Sequence, residues 1–192
     1  MHKARLEAFS DGVLAIIITI MVLELKAPHS ADLSALVANA HVFLGYVLSF
    51  VYVGIYWNNH HHMFQLVKHI DGSVLWANLH LLFWLSLFPF ANAWMGETHF
   101  AMWPVIAYGV ILLMAATAYS ILVWRLIAIN GRKSALATAV GKDVKGNISL
   151  VIYLVSLPLA FLHPYLSLGG YLAIALLWLI PDRRMENAFG RK

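Results

Sequence analysis

Apolar residues fall in long runs separated by short polar breaks, and the runs are too long for buried strands, so the pattern predicts helices throughout. The expected helices cover about 5–25, 33–64, 74–94, 103–129, 147–162 and 165–180. Breakers mark the joints. Pro28 follows the first run, with Asp32 placed to cap the second, and Gly72 with Ser73 as a cap divides the second from the third. Gly96-Glu97-Thr98-His99 closes the third, a basic linker from Asn130 to Gly146 follows the fourth, and His163-Pro164 separates the last two. Pro181 ends the sixth. Pro89 predicts a kink inside the third. The fold class expected is all-α, an integral membrane six-helix bundle forming one domain over 1–192.

The first run differs from the others in where its charge lies. Asp11 and Glu24 enclose twelve residues, about 18 Å of helix against roughly 30 Å of hydrocarbon. One or both carboxylates therefore lie at membrane depth, where ionisable groups face a bundle interior or a water-filled path. This predicts a central helix. Ile16, Thr19, Ile20 and Leu23 form one stripe along it. Spacing alone favours an ordinary packing face over the lining of a pore.

Composition places the chain in the membrane: 61% of residues are hydrophobic and 11% charged, with a mean hydropathy of +0.76. The net charge of +4 is spread between apolar runs instead of forming a nucleic-acid patch. Six helices would set twelve of the thirteen Lys and Arg residues on one side, leaving Lys26 alone on the other. By the positive-inside rule both termini are expected in the cytoplasm. Glu7 and Asp11 near the N-terminus, with no small-x-small site after Glu24, argue against a cleaved signal peptide.

Arg5-x-x-x-Phe9-Ser10-Asp11-Gly12, followed by Ile16, Thr19 and Pro28, resembles the signature of the transmembrane protein 175 family. Trp57-x-x-His60-x-x-x-Phe64, Asn78 and Pro89-Phe90 are similar to its other recurrent positions. The resemblance implies a potassium-permeable channel of the plasma membrane. It further implies a single-repeat chain assembled as a homotetramer, with potassium and other monovalent cations as the permeating species and no cofactor. Helix one would line the path, with layers at Ile16, Ile20 and Leu23 and with Thr19 beside the first. The constriction would be apolar, giving leak-type conduction with modest preference for potassium over sodium. Arg5, Phe9, Ser10, Asp11, Gly12, Trp57, His60 and Asn78 would form the structural network behind it. Within that network, Asp11 needs donors, and Arg5, Trp57, His60 and Asn78 are able to supply them.

Other chemistries find less support. His60-His61-His62 suggests a metal, yet adjacent histidines on a helix point about 100° apart and do not converge. No pair of histidines is clearly placed on facing helices for a haem. No nucleophile elbow, phosphate loop or HExxH motif is present, so no enzyme is expected. The alternative is a small secondary transporter with a midplane site, a class built on inverted repeats and broken helices. No internal symmetry is visible, and helix one has no Gly or Pro between Val13 and Leu23.

Overall fold

Every apolar run becomes helix, and the polar breaks become the turns. The computed structural model describes residues 2–28 and 30–179. Its elements are α1 (Lys3–Leu23), α2 (Leu33–Ala38), α3 (Ala40–Gln65), α4 (Gly72–Ser86), α5 (Phe88–Glu97), α6 (Met102–Asn130), α7 (Ala135–Val140), α8 (Val144–Leu159) and α9 (Pro164–Leu179).

Among the described residues four helical stretches are long and apolar enough to cross a membrane: α1, α3, α4 with α5, and α6. The apolar α8 and α9 are shorter at 16 residues each, about 24 Å of helix.

Several boundaries differ from those expected. The second run breaks at Asn39, whose side chain donates to the Ala35 carbonyl at 3.2 Å, so α2 is a separate exposed turn before α3. The third run breaks at Leu87, because Pro89 enters the first turn of α5 and has no N–H for the ladder. Asp71, not Ser73, caps α4: its carboxylate accepts from the Ser73 hydroxyl at 2.7 Å and from the Val74 N–H at 3.0 Å. Those two bonds hold its pKa below the ordinary aspartate range. The basic linker is not featureless, since α7 buries Leu136 and Ala139 against the bundle. Asp143 caps α8 through the Gly146 N–H at 3.1 Å, starting that helix earlier than the apolar pattern suggests. The expected stop at Pro181 lies outside the described residues.

Polar contacts at the two ends fix an antiparallel order. At one end the Lys3 ammonium donates to the carbonyls of Phe64 at 2.9 Å and Val67 at 3.3 Å, joining the start of α1 to the end of α3. There too the Asn130 amide clasps the α3–α4 turn, accepting from the Lys68 and His69 N–H groups and donating to the His69 carbonyl. At the other end Lys26 and Glu97 pair at 3.5 Å, and the Trp103 and Phe161 rings meet edge to face.

Helix α6 is the central post, packing on α4, α5, α8 and α9, with Leu112, Ala115, Ala118 and Leu122 fully enclosed. Around it four of the five buried tyrosines bond through their hydroxyls. Tyr171 donates to the Val105 carbonyl at 3.3 Å, Tyr52 to the Tyr171 carbonyl, and Tyr153 to the Tyr52 hydroxyl at 3.2 Å. Ser49 bridges the Asn92 amide oxygen and the Tyr108 hydroxyl. A polar group buried among apolar helices is costly unless paired, so these bonds fix which helix faces meet. Helix α1 lies at the edge of this bundle on α3, α4 and α5, and is not surrounded within one chain. The expected central position is therefore not found in the single subunit.

Close approach of α6 and α9 depends on Gly109, where an added Cβ would fall 1.9 Å from the Tyr171 hydroxyl. Gly109→Ala should lower stability by about 1–3 kcal/mol through overpacking. Gly54→Ala, where no atom lies within 4 Å of the added carbon, should be neutral or stabilising by up to about 1 kcal/mol. Thermal unfolding in detergent reads both, and equal melting points would contradict this packing.

Candidate functional site

Helix α1 divides its residues between two faces. Leu6, Ser10, Leu14, Ile17 and Met21 are buried against the bundle. Ile16, Thr19, Ile20 and Leu23 face away from it, with Ile16 at 59% and Leu23 at 75% exposure while Ile17 is at 3%. At 100° per residue the centres of the two faces are about 130° apart. Phe9 and Gly12 also turn outward, and a Cβ at Gly12 would touch nothing. The Thr19 hydroxyl donates to the Ala15 carbonyl at 2.9 Å, so its proton is used within the helix and its oxygen is left to accept.

Buried hydrogen bonds fix that rotation. The Ser10 hydroxyl donates to the Leu6 carbonyl and accepts from the Asn78 amide, both at 2.9 Å. The Asn78 oxygen faces His60 Nε2 at 2.8 Å. With the amide nitrogen committed to Ser10, this oxygen can only accept, which assigns the proton to Nε2. Ser10, His60 and Asn78 are all essentially enclosed, and the His60 ring packs on the ring of Phe64. One chain of bonds thus ties α1, α4 and α3.

A second tie lies at the surface. The Trp57 indole N–H donates to the Asp11 carboxylate at 3.0 Å, and the His61 ring stacks beneath the indole at 5.8 Å. The Asp11 donors therefore differ from those expected: Trp57 supplies its bond, while His60 and Asn78 bond each other and Ser10. Arg5 is exposed and stands outside both ties. His61, which had no expected role, supports Trp57 from the next turn and approaches Gln65. The Lys3 clamp on α3 was not evident, because a lysine near a terminus carries no motif. Among the described residues no group of three His, Asp or Glu side chains converges on a metal position, so the three-histidine run gathers no further ligands.

A family model described as endosomal/lysosomal potassium channel TMEM175 matches residues 5–89, the stretch that holds both ties. A potassium channel of Chryseobacterium sp. is 54% identical over 188 residues, covering 98% of each chain. The mouse endosomal/lysosomal proton channel TMEM175 is 33% identical over 103 residues, 47% of this chain and 21% of that protein. The crystal structure of a lysosomal potassium-selective channel TMEM175 homolog from Chamaesiphon minutus aligns with a TM-score of 0.83 at 28% identity. That alignment covers 94% of this chain and 97% of that one.

Asn78→Leu leaves the His60 N–H and the Ser10 hydroxyl oxygen without their partner in a dry site, and should destabilise by about 1–3 kcal/mol or more. Trp57→Phe releases a carboxylate that water reaches, and should cost about 1 kcal/mol or less. Melting temperatures in detergent give the order, and a larger loss for Trp57→Phe would contradict it.

Proposed function

The chain belongs to the TMEM175 family of potassium channels and is a multi-pass membrane protein, and we propose that it conducts potassium through a homotetramer in which α1 of each subunit borders the path. The observation that carries this reading is the division of α1. Its motif residue Ser10 is locked inward, while Ile16, Thr19, Ile20 and Leu23 are left facing out of the subunit. A single copy cannot enclose a path with such a face, so several copies must. The subunit is one domain over 1–192 with six membrane passes, α8 and α9 included, and with both termini in the cytoplasm. It resides in the plasma membrane.

In this arrangement Ile16, Ile20 and Leu23 form successive apolar layers. A ring of isoleucine offers an ion no oxygen ligands, so passage costs partial dehydration without replacement. Potassium holds its water more weakly than sodium and loses less, which yields modest selectivity without a carbonyl filter. The same ring closes by dewetting when it narrows slightly. Thr19, with its oxygen free to accept, supplies a polar step beside the first layer. Asp11, Trp57, Ser10, Asn78 and His60 hold the cytoplasmic end of α1 and do not themselves carry ions.

Ile16→Asn should raise sodium current relative to potassium while the tetramer persists, and Ile17→Asn should disturb packing without changing selectivity. The readout is the reversal potential in liposomes under bi-ionic potassium and sodium. A shift with Ile17→Asn and none with Ile16→Asn would mean that α1 presents a different face. A flux that saturates and follows a second ion gradient would favour a secondary transporter.

A further inference from the structure

Away from α1, the end of the bundle where α8 begins holds a cavity between α3, α6, α8 and α9. It measures about 500 Å³ counted with its open mouth, and α1 contributes nothing to its walls. Most of that volume is the open mouth, and the enclosed interior of about 50 Å³ admits only the head of a small molecule, its tail lying in the mouth.

Its walls include the aromatic side chains of Tyr52, Tyr56, Tyr119, Tyr153 and Trp178, with Asp143 as the charged residue. Three of the four tyrosine hydroxyls are committed: Tyr52 donates to the Tyr171 carbonyl, Tyr119 to the Asn59 carbonyl at 3.4 Å and Tyr153 to the Tyr52 hydroxyl at 3.2 Å. Tyr56 differs. It is 8% exposed, its ring meets Tyr119 edge to face, and its hydroxyl has no hydrogen-bond partner among the described residues. Its oxygen is reached from the open space of the cavity, where a polar group of a ligand can take the place of water.

Asp143 is also unusual. It holds a left-handed backbone at φ 43 and ψ 50, a conformation uncommon outside glycine and asparagine-like residues. In that position one carboxylate oxygen caps α8 through Gly146, and the other has no hydrogen-bond partner among the described residues. Trp178 is already used by the chain's own Lys145, whose Nζ lies 5.7 Å from the ring centroid, which leaves the Tyr56 and Tyr119 rings for a further cation. Aromatic faces draw cations through their quadrupole, and a neighbouring carboxylate adds a full charge.

We propose that this cavity binds a compact organic cation of the alkylammonium class, with the cationic head beside the Tyr56 and Tyr119 rings and its charge balanced by Asp143. The Tyr56 hydroxyl meets the polar tail of the ligand. Such a site is separate from the ion path and does not depend on the channel reading.

The test is calorimetric titration of the full-length protein in detergent with choline, at constant ionic strength in potassium chloride. The neutral isostere 3,3-dimethylbutan-1-ol serves as the comparison. Choline should bind saturably, and the isostere about tenfold more weakly or not at all. Asp143→Asn keeps an oxygen for the Gly146 cap and should weaken choline by about tenfold. Tyr56→Phe, which keeps the shape of the wall, should weaken it several-fold, and Ile16→Asn should leave it unchanged. The proposal is overturned by isostere binding equal to choline. It is overturned equally by no saturable binding up to tens of millimolar, or by loss of binding in Ile16→Asn with retention in Tyr56→Phe.

Discussion

The structure depends on the amide of Asn78. In a bundle made almost wholly of apolar side chains, hydrophobic contact sets few constraints on how a helix is rotated, since one leucine-rich face packs much like another. A buried amide is different: it carries donors and an acceptor that must be met with correct geometry or leave an expensive deficit. Asn78 meets Ser10 on one side and His60 on the other. Turning α1 by one residue would carry Ser10 out of reach. The rotation of α1 is thereby fixed from its first turns, and with it the identity of every side chain that leaves the subunit further along.

The far side of the bundle follows the same rule with different residues. Ser49, Asn92 and Tyr108 share one set of bonds, and Tyr52, Tyr153 and Tyr171 another. Gly109 and Gly170 allow the helices to approach where Tyr171 and Ser156 stand. This half forms a stiff support against which α3, α4 and α5 present a fixed surface to α1. What α1 leaves uncovered is then a consequence of the whole bundle and not of its own apolar pattern, which runs around the entire helix. The exposed stripe alone carries little weight, because a membrane protein exposes apolar side chains on every lipid-facing surface. Its weight comes from lying on the same helix as the Ser10 lock and the Asp11 carboxylate.

Much of this was legible in the sequence. Run lengths located the long helices, and Pro89 announced the break at Leu87. The family resemblance implied Ser10, Asp11, Trp57, His60 and Asn78 as one group, consistent with the need of polar residues inside apolar runs for partners. Their pairing was not legible, since helix spacing says which residues share a face and not which partner each one finds. Arg5 looked like a partner for Asp11 by charge, yet on α1 it lies on the outward side while Trp57 reaches Asp11 from α3. The break at Asn39 has no Pro or Gly to mark it. Ser73 was the expected cap, but the backbone places Asp71 one residue before the helix, where its carboxylate reaches the Val74 N–H. The tyrosine network escaped notice because tyrosines in a hydrophobic chain serve equally well at membrane interfaces.

The sequence contains no cysteine, which makes the face of α1 directly measurable by introducing one cysteine at a time. Potassium current in planar bilayers is recorded while a cationic methanethiosulfonate reagent is applied, with cysteines placed at 16, 19, 20 and 23 and at 14, 17 and 21. The account predicts irreversible loss of current at the first set, slowed by a high potassium concentration, and no effect at the second. Modification that blocks current at 14, 17 or 21, with none at 16 or 20, would contradict it.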